Sequence, residues 1–165
     1  MTMEYPHFKN DYFIKGADLL PHRPPFLFLD VLESSDETGC IGRYRFDNEK
    51  NDFFKGHFPD YPVVPGVVLV EAMGQCAGAG IVARNILGGK DRTHTFVLAG
   101  IVSARFRSPV RPGDEFVMVV ENVRISSRLC TFNIKGYVLN QLAAECTLKC
   151  LLSPLNLNLV KDDAK

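Results

Sequence analysis

PGVVLVEAMGQCAGAGIVARNIL, residues Pro65 to Leu87, is the stretch around which the rest of the chain must be arranged. It is too long for an ordinary strand, and proline followed by glycine at its mouth suits the start of a helix, so a helix is expected from Val67 to about Leu87. The segment is apolar on nearly every face, with small residues at Ala72, Gly74, Ala77, Gly78, Ala79 and Gly80. Each interior glycine costs a helix up to about 1 kcal/mol against alanine, which only close packing on all sides offsets. The most apolar part, Val63 to Ala83, approaches the length needed to cross a bilayer, but Glu71, Gln75 and the glycines near its middle oppose that reading.

Outward from this helix the pattern turns to strands. Upstream, FLFLDVLESS and TGCIGRYRFD read as a strand pair with Ser34, Ser35, Asp36 and Gly39 in the turn, and Ile14 to Leu20 reads as a short helix stopped by Pro21. Between them and the long helix lies NEKNDFFKGHFPDYP, a polar loop punctuated by prolines. Downstream, HTFVLAGIVSARFRSPV, GDEFVMVVENVRIS, SRLCTFNIKGYVL and QLAAECTLKCLLSP are strands, and the short turns between them suggest antiparallel neighbours. The expected architecture is α+β, a curved antiparallel sheet wrapped around one long central helix. A chain of 165 residues makes one such domain, with residues 1–13 and 154–165 peripheral; the final LNLNLVKDDAK is expected to fray.

Composition narrows the function classes. Nineteen basic residues against nineteen acidic ones leave no broad cationic face for nucleic acid. The opening MTMEYPHFKNDYF has neither the basic start nor the apolar run of a signal peptide, and a cytoplasmic location is expected. Five cysteines are an odd number for a disulfide framework and suit reduced thiols. Cys146 and Cys150 stand four apart, but AAECTLKCLL alternates with strand period, which separates them by about 13 Å and makes them core-facing rather than metal ligands.

The chemistry concentrates in GHFPDYPVVPGVVLVEAMGQ, Gly56 to Gln75. On a helix Glu71 and Gln75 share a face, in aliphatic surroundings. Desolvation of a carboxyl favours its protonated form, so Glu71 is placed to donate a proton. His57, between Gly56 and Phe58 in the loop, is a residue type that titrates near neutrality and can act as a base. A base and an acid flanking an apolar site suit removal of a proton α to a carbonyl with loss of a β-hydroxyl as water. The free N–H of Gly66, at the positive end of the helix dipole, is placed to stabilise the enolate-like oxygen. Two blander roles stay open: His57 as a structural loop residue, and Glu71 as the partner of a buried arginine or of a second subunit.

Those residues also carry a resemblance. G-H-F-P-x-x-P-V-V-P-G-V-V-L-V-E-A-M-G-Q is similar to the signature of the 3-hydroxyacyl-[acyl-carrier-protein] dehydratases, which have the hotdog fold. LLPHRPPFLFLD, Leu19 to Asp30, and LAGIVSARFRSPVRPGDEF, Leu98 to Phe116, resemble two further motifs of the family in the same order, so that the likeness spans about residues 16 to 153. The resemblance implies dehydration of a (3R)-3-hydroxyacyl thioester to the trans-2-enoyl thioester without metal or redox cofactor. It implies His57 and Glu71 as the catalytic pair, Gly66 as the donor to the thioester carbonyl, and Val67 and Phe58 in the substrate-binding region. It implies an acyl carrier protein with a phosphopantetheine-linked acyl chain as partner, and a homodimer or trimer of dimers whose sites take the histidine from one chain and the acid from the other. Glutamate at position 71, where a related dehydratase-isomerase subgroup carries aspartate, favours dehydration alone. Pro24 stands where relatives commonly have an aromatic residue, and Asp60-Tyr61 replace a frequent Gly-His pair, which leaves fatty-acid, polyketide-like and polyene substrates open.

Arg105, Arg107 and Arg111 form a basic cluster, readable as a dock for the acidic carrier or its phosphate, or as a solvated face. Two other functions remain in view: a hotdog acyl-thioester hydrolase, and a non-catalytic acyl-thioester-binding scaffold.

Overall fold

A computed structural model describes residues 4–90 and 94–154; the LNLNLVKDDAK tail lies outside them. Seven strands form one sheet in the order β1-β2-β3-β5-β6-β7-β4, with every neighbouring pair antiparallel. They are β1 (Asn10–Lys15), β2 (Val31–Ser35), β3 (Cys40–Arg45), β4 (His94–Phe106), β5 (Glu115–Ser126), β6 (Leu129–Val138) and β7 (Gln141–Pro154). The short helix α1 spans Gly16–Leu19, and α2 spans Gly66–Leu87. A 3₁₀ turn, Asp52–Lys55, interrupts the loop before α2.

The expected sheet around a central helix is present. By length and composition α2 is able to cross a membrane, yet it is mostly buried within this fold. Residues Leu69, Val70, Ala72, Met73 and every position from Gln75 to Ala83 are buried. The sheet meets it with alternate side chains: in β7, Ala144, Cys146, Leu148 and Cys150 are buried while Glu145 and Thr147 are half-buried and Lys149 is exposed. The two cysteines therefore face the core as the period implied. Burial pushes the Cys146 thiol up to about 12 and the Cys150 thiol to about 11, so both stay protonated at neutral pH.

Two reciprocal contacts fix how closely α2 approaches β3. A Cβ at Gly42 of β3 would lie 2.8 Å from Cys76 Sγ of α2, and a Cβ at Gly80 of α2 would lie 2.5 Å from Cys40 Sγ of β3. Each glycine is thus the socket for the cysteine of the opposite element. The Cys40 thiol also donates to the Cys76 carbonyl at 3.4 Å.

Three features depart from the expectation. The supposedly peripheral N-terminus contributes β1, where Ile14 pairs with Leu32 and Lys15 with Val31; this takes Ile14 and Lys15 out of the predicted helix and leaves α1 with four residues. Second, β4 and β5 are consecutive but not neighbours, because β4 pairs with β7 at the sheet edge and β5 with β3. The Arg111-Pro-Gly-Asp114 turn is not a hairpin: Gly113 N–H donates to the Phe46 carbonyl and Phe46 N–H to that of Asp114, which fastens the turn to the end of β3. Third, β4 leaves Val97, Leu98, Ile101, Val102 and Phe106 exposed.

The packing of α2 yields a paired prediction. Gly80→Ala gains up to about 1 kcal/mol in helix propensity but forces a methyl into Cys40, and overpacking of about 1–3 kcal/mol outweighs the gain. At Gly74 the nearest atom to an added Cβ is Leu148 Cδ1 at 3.5 Å, an ordinary contact. Urea unfolding midpoints should accordingly fall for Gly80→Ala and hold or rise for Gly74→Ala.

Candidate active site

The loop between β3 and α2 is held along its whole length before it presents a histidine. Asp47 Oδ1 accepts from the N–H groups of Glu49 and Lys50, and the buried Asn51 donates through Nδ2 to Tyr44 OH at 3.0 Å. The 3₁₀ turn follows, and its Phe53 carbonyl accepts from both Gly56 N–H and His57 N–H. Phe58 and Tyr61 then close a turn with two mutual backbone bonds, and Val63 N–H donates to the His57 carbonyl. Val64 N–H reaches the Val110 carbonyl at 2.8 Å, while Arg111 Nη2 donates to Tyr61 OH at 2.6 Å with its guanidinium 4.5 Å from the ring centre. These last two bonds fasten the loop to the segment that crosses from β4 to β5.

His57 Nδ1 lies 2.9 Å from the Val63 carbonyl oxygen. A carbonyl only accepts, so Nδ1 carries the proton and Nε2 keeps its lone pair. The ring stacks on Phe58 at 4.3 Å. In its neutral form the ring therefore presents Nε2 as its free acceptor, oriented by the loop backbone.

Glu71 lies little more than a turn inside α2. It is not stranded among aliphatic groups: its side chain keeps 30% of its exposure, and Gln75 Nε2 donates to Oε1 at 2.8 Å. Gln75 is itself buried, and its amide also accepts from Phe28 N–H at 2.7 Å and donates to the Phe26 carbonyl at 3.0 Å. The connector from Leu20 to Asp30 therefore folds over α2 and supplies polar groups that the helix sequence alone does not disclose. It also brings His22 Nε2 to 3.7 Å from Glu71 Oε1. Sequence reasoning missed His22; it stands in one of the three quoted motifs, but nothing in the spacing points to a meeting with Glu71.

Beside Glu71 runs a cavity of about 320 Å³. Its floor is one face of α2, formed by Glu71, Gly74, Gln75, Gly78 and Val82, which extends about 16 Å at 1.5 Å per residue. Leu19, Leu20, Phe96, Leu98, Leu148 and Cys150 supply apolar walls. A largely apolar trough leading away from a carboxyl suits an acyl chain with its polar end at Glu71.

Gly66 lies on a different cavity, also about 320 Å³, with Val63, Phe106 and Arg107 among its lining residues. Val68 and Leu69 N–H both turn to the Pro65 carbonyl, which leaves the Gly66 amide outside the helix ladder. An added Cβ at Gly66 would meet the Phe106 ring at 2.7 Å, so the position admits no side chain there without movement. Val67 and Phe58 are both exposed and line neither cavity. Within one chain, then, Glu71 faces one cavity and Gly66 another, and His57 lines neither. The three arginines are likewise dispersed in their roles: Arg107 pairs with Glu145, Arg111 is held on Tyr61, and Arg105 is exposed on β4.

Comparison with known proteins places these residues in a family. Residues 20–146 match the FabA-like domain. The chain is 39% identical over 136 residues to the 3-hydroxyacyl-[acyl-carrier-protein] dehydratase FabZ of Syntrophotalea carbinolica, covering 82% of this chain and 90% of that protein. It is 34% identical over 141 residues to the FabZ of Listeria welshimeri, covering 86% of this chain and 95% of the relative. Among solved structures, the dehydratase heterocomplex ApeI:P from Xenorhabdus doucetiae superposes with a TM-score of 0.72 at 12% identity, over 86% of this chain and 93% of that one. The E. coli PaaI protein superposes with a TM-score of 0.55 at 15% identity, over 73% and 80% of the two chains. At such identities these structures speak for the fold alone, and the fold is the hotdog. With the domain match and the curated relatives covering most of its length, the chain belongs to the 3-hydroxyacyl-[acyl-carrier-protein] dehydratase family.

Proposed function

We propose that this dehydratase works through His57 as base and Glu71 as acid, meeting in a site built from two copies of the chain. The reaction is the dehydration of 3-hydroxyacyl-[acyl-carrier-protein] in fatty-acid biosynthesis. His57 Nε2 takes the α-proton, and the electron pair of that C–H bond forms the Cα–Cβ double bond. The C–O bond at the β-carbon breaks, and the proton of the Glu71 carboxyl goes to the departing hydroxyl, which leaves as water. The Gly66 N–H donates to the thioester carbonyl as negative charge develops on its oxygen. The observation that carries these roles is the bond from Nδ1 of His57 to the Val63 carbonyl, which leaves Nε2 as a base without help from any other side chain.

The two-copy arrangement is supported by the separation of His57 from the Glu71 cavity and by the exposed apolar strand β4 at the sheet edge. A second β4 laid against the first would bury Val97, Ile101 and Val102 and continue the sheet. Each chain would act as one domain in a dimer or a trimer of dimers. Exposed Arg105, with Arg107 at the rim of the Gly66 cavity, would receive the acidic carrier and the phosphate of its pantetheine arm, while Arg111 braces the loop. Five free, buried thiols suit the reducing cytoplasm.

Crotonyl thioester tests the roles in the hydration direction. His57→Ala and Glu71→Gln should each slow loss of the enone absorbance by about 10²–10⁴-fold, and full hydration in either variant overturns its assignment. Thiol release without hydration identifies a hydrolase instead. Subunit mixing tests the shared site: co-refolded His57→Ala and Glu71→Gln chains form mixed dimers with one intact site, so about a quarter of wild-type activity should return at equal mixing. No recovery places both residues of each site on one chain.

A further inference from the structure

His22 is the polar group at the cavity that the reaction above leaves without a task. Its ring stands at the mouth beside Glu71, both side chains about 30% exposed, with Nε2 3.7 Å from Glu71 Oε1. Its other nitrogen, Nδ1, is buried with no hydrogen-bond partner among the described residues. A proton on Nδ1 would be an unsatisfied buried donor, so the proton belongs on Nε2, the nitrogen that faces the carboxyl. The backbone beneath the ring is clamped, because Arg23 Nη1 donates to the carbonyls of both Leu20 and His22.

Gln75 supplies the second half of the argument. Its Oε1 is occupied by the Phe28 N–H, which fixes the amide with Nε2 toward Glu71, and that nitrogen donates to the same carboxyl oxygen that His22 approaches. Two N–H donors thus converge on Oε1. A carboxyl oxygen that accepts two such bonds does not also hold the acid proton without losing one of them. We propose that His22 is a positioning residue for Glu71: with Gln75 it forms a donor pair on Oε1 that consigns the acid proton to Oε2, the oxygen left to serve the departing hydroxyl.

This rests on the reading of Glu71 as the acid. The 3.7 Å separation is longer than a hydrogen bond, and contacts of this kind commonly shorten when substrate fills a site. The gain is largest after the proton has left, when Oε1 belongs to an anion and both bonds become charge-assisted. An interaction that strengthens along the reaction acts on kcat rather than on KM.

The experiment compares steady-state dehydration of (3R)-3-hydroxybutyryl thioester, followed by gain of the enone absorbance, by the full-length wild type, His22→Phe, His22→Gln and Glu71→Gln, with His22→Phe repeated in the Glu71→Gln background. His22→Phe keeps a flat ring and removes the donor; kcat should fall about 10- to 100-fold, the loss of one hydrogen bond to a charged group, with KM within about twofold. His22→Gln, which retains an N–H donor, should recover most of the loss. In the Glu71→Gln background His22→Phe should cost nothing further. Unchanged kcat in His22→Phe overturns the proposal, as does an equal loss in His22→Gln when its urea midpoint matches wild type, a change confined to KM, or full additivity with Glu71→Gln. A Glu71→Gln enzyme with wild-type kcat would instead remove the acid role on which the proposal stands.

Discussion

The seating of α2 on β3 is the constraint from which the rest of the structure follows. Cys76 fills the space above Gly42, and Cys40 fills the space above Gly80, so helix and strand approach as closely as sulfur against backbone permits. A side chain at either glycine would lift the helix off the sheet. With α2 held down, its upper face is free to be covered by the Leu20–Asp30 connector, and the trough between connector, helix and β7 becomes the cavity. The helix glycines that look costly in isolation are distributed between two uses. Gly80 permits close packing against β3, and Gly74 and Gly78 line the trough.

A carboxyl on such a helix is an energetic liability only if it is left alone. Removing a hydrogen-bonding group from water without a partner costs a few kcal/mol, whereas a hydrogen bond made in place contributes about 0.5–1.5 kcal/mol and residual hydration lowers the cost further. Glu71 meets this balance with a bond from Gln75 and with residual exposure at the cavity mouth. Gln75 is the more demanding residue, being buried, and both of its amide protons and its oxygen are bonded: the oxygen orders the connector through Phe28, one proton through Phe26, and the other holds the Glu71 carboxyl. Fold and site are therefore joined in a single amide. The structure departs from the sequence reading in the source of the acid's environment, which is a polar bracket set in an apolar trough rather than aliphatic burial.

What could be read in advance was what repeats locally. The extent of α2 and the two-residue period of β7, which turned Cys146 and Cys150 inward, are properties of short windows. The position of Gly66 at the helix mouth, free of the ladder, likewise follows from Pro65 beside it. What could not be read was set by distant pairing. Strand β1 lies mostly exposed at the edge of the sheet, with only Tyr12 and Ile14 half-buried and Phe13 in solvent, so it lacks the signature of a core strand. The displacement of β4 from β5 depends on Phe46 bonding across to Gly113 and Asp114. Arg107 and Arg111 share a segment but answer to Glu145 and Tyr61, partners that no local pattern brings near. His22 and Glu71 meet because the connector folds back over α2.

The two edges of the sheet differ in a way that bears on assembly. Strand β1 is short, its pairing with β2 slips between Asp11 and Ile14, and Asn10, Asp11 and Lys15 expose polar groups along it. Those are the devices by which an edge resists a further strand. Strand β4 is longer, at thirteen residues, and although its pairing with β7 also slips, between Leu98 and Gly100 and between Ile101 and Ser103, it has no charged side chain from Val97 to Val102, where aliphatic side chains stand exposed. An isolated chain would carry that surface at a cost of about 25 cal/mol for each Å² left uncovered. No β1 residue lines either cavity, whereas β4 carries Leu98 into the Glu71 trough and Phe106 over Gly66. A partner docked on β4 would therefore meet both cavities at once, and the same apolar area that favours association would shield them from water.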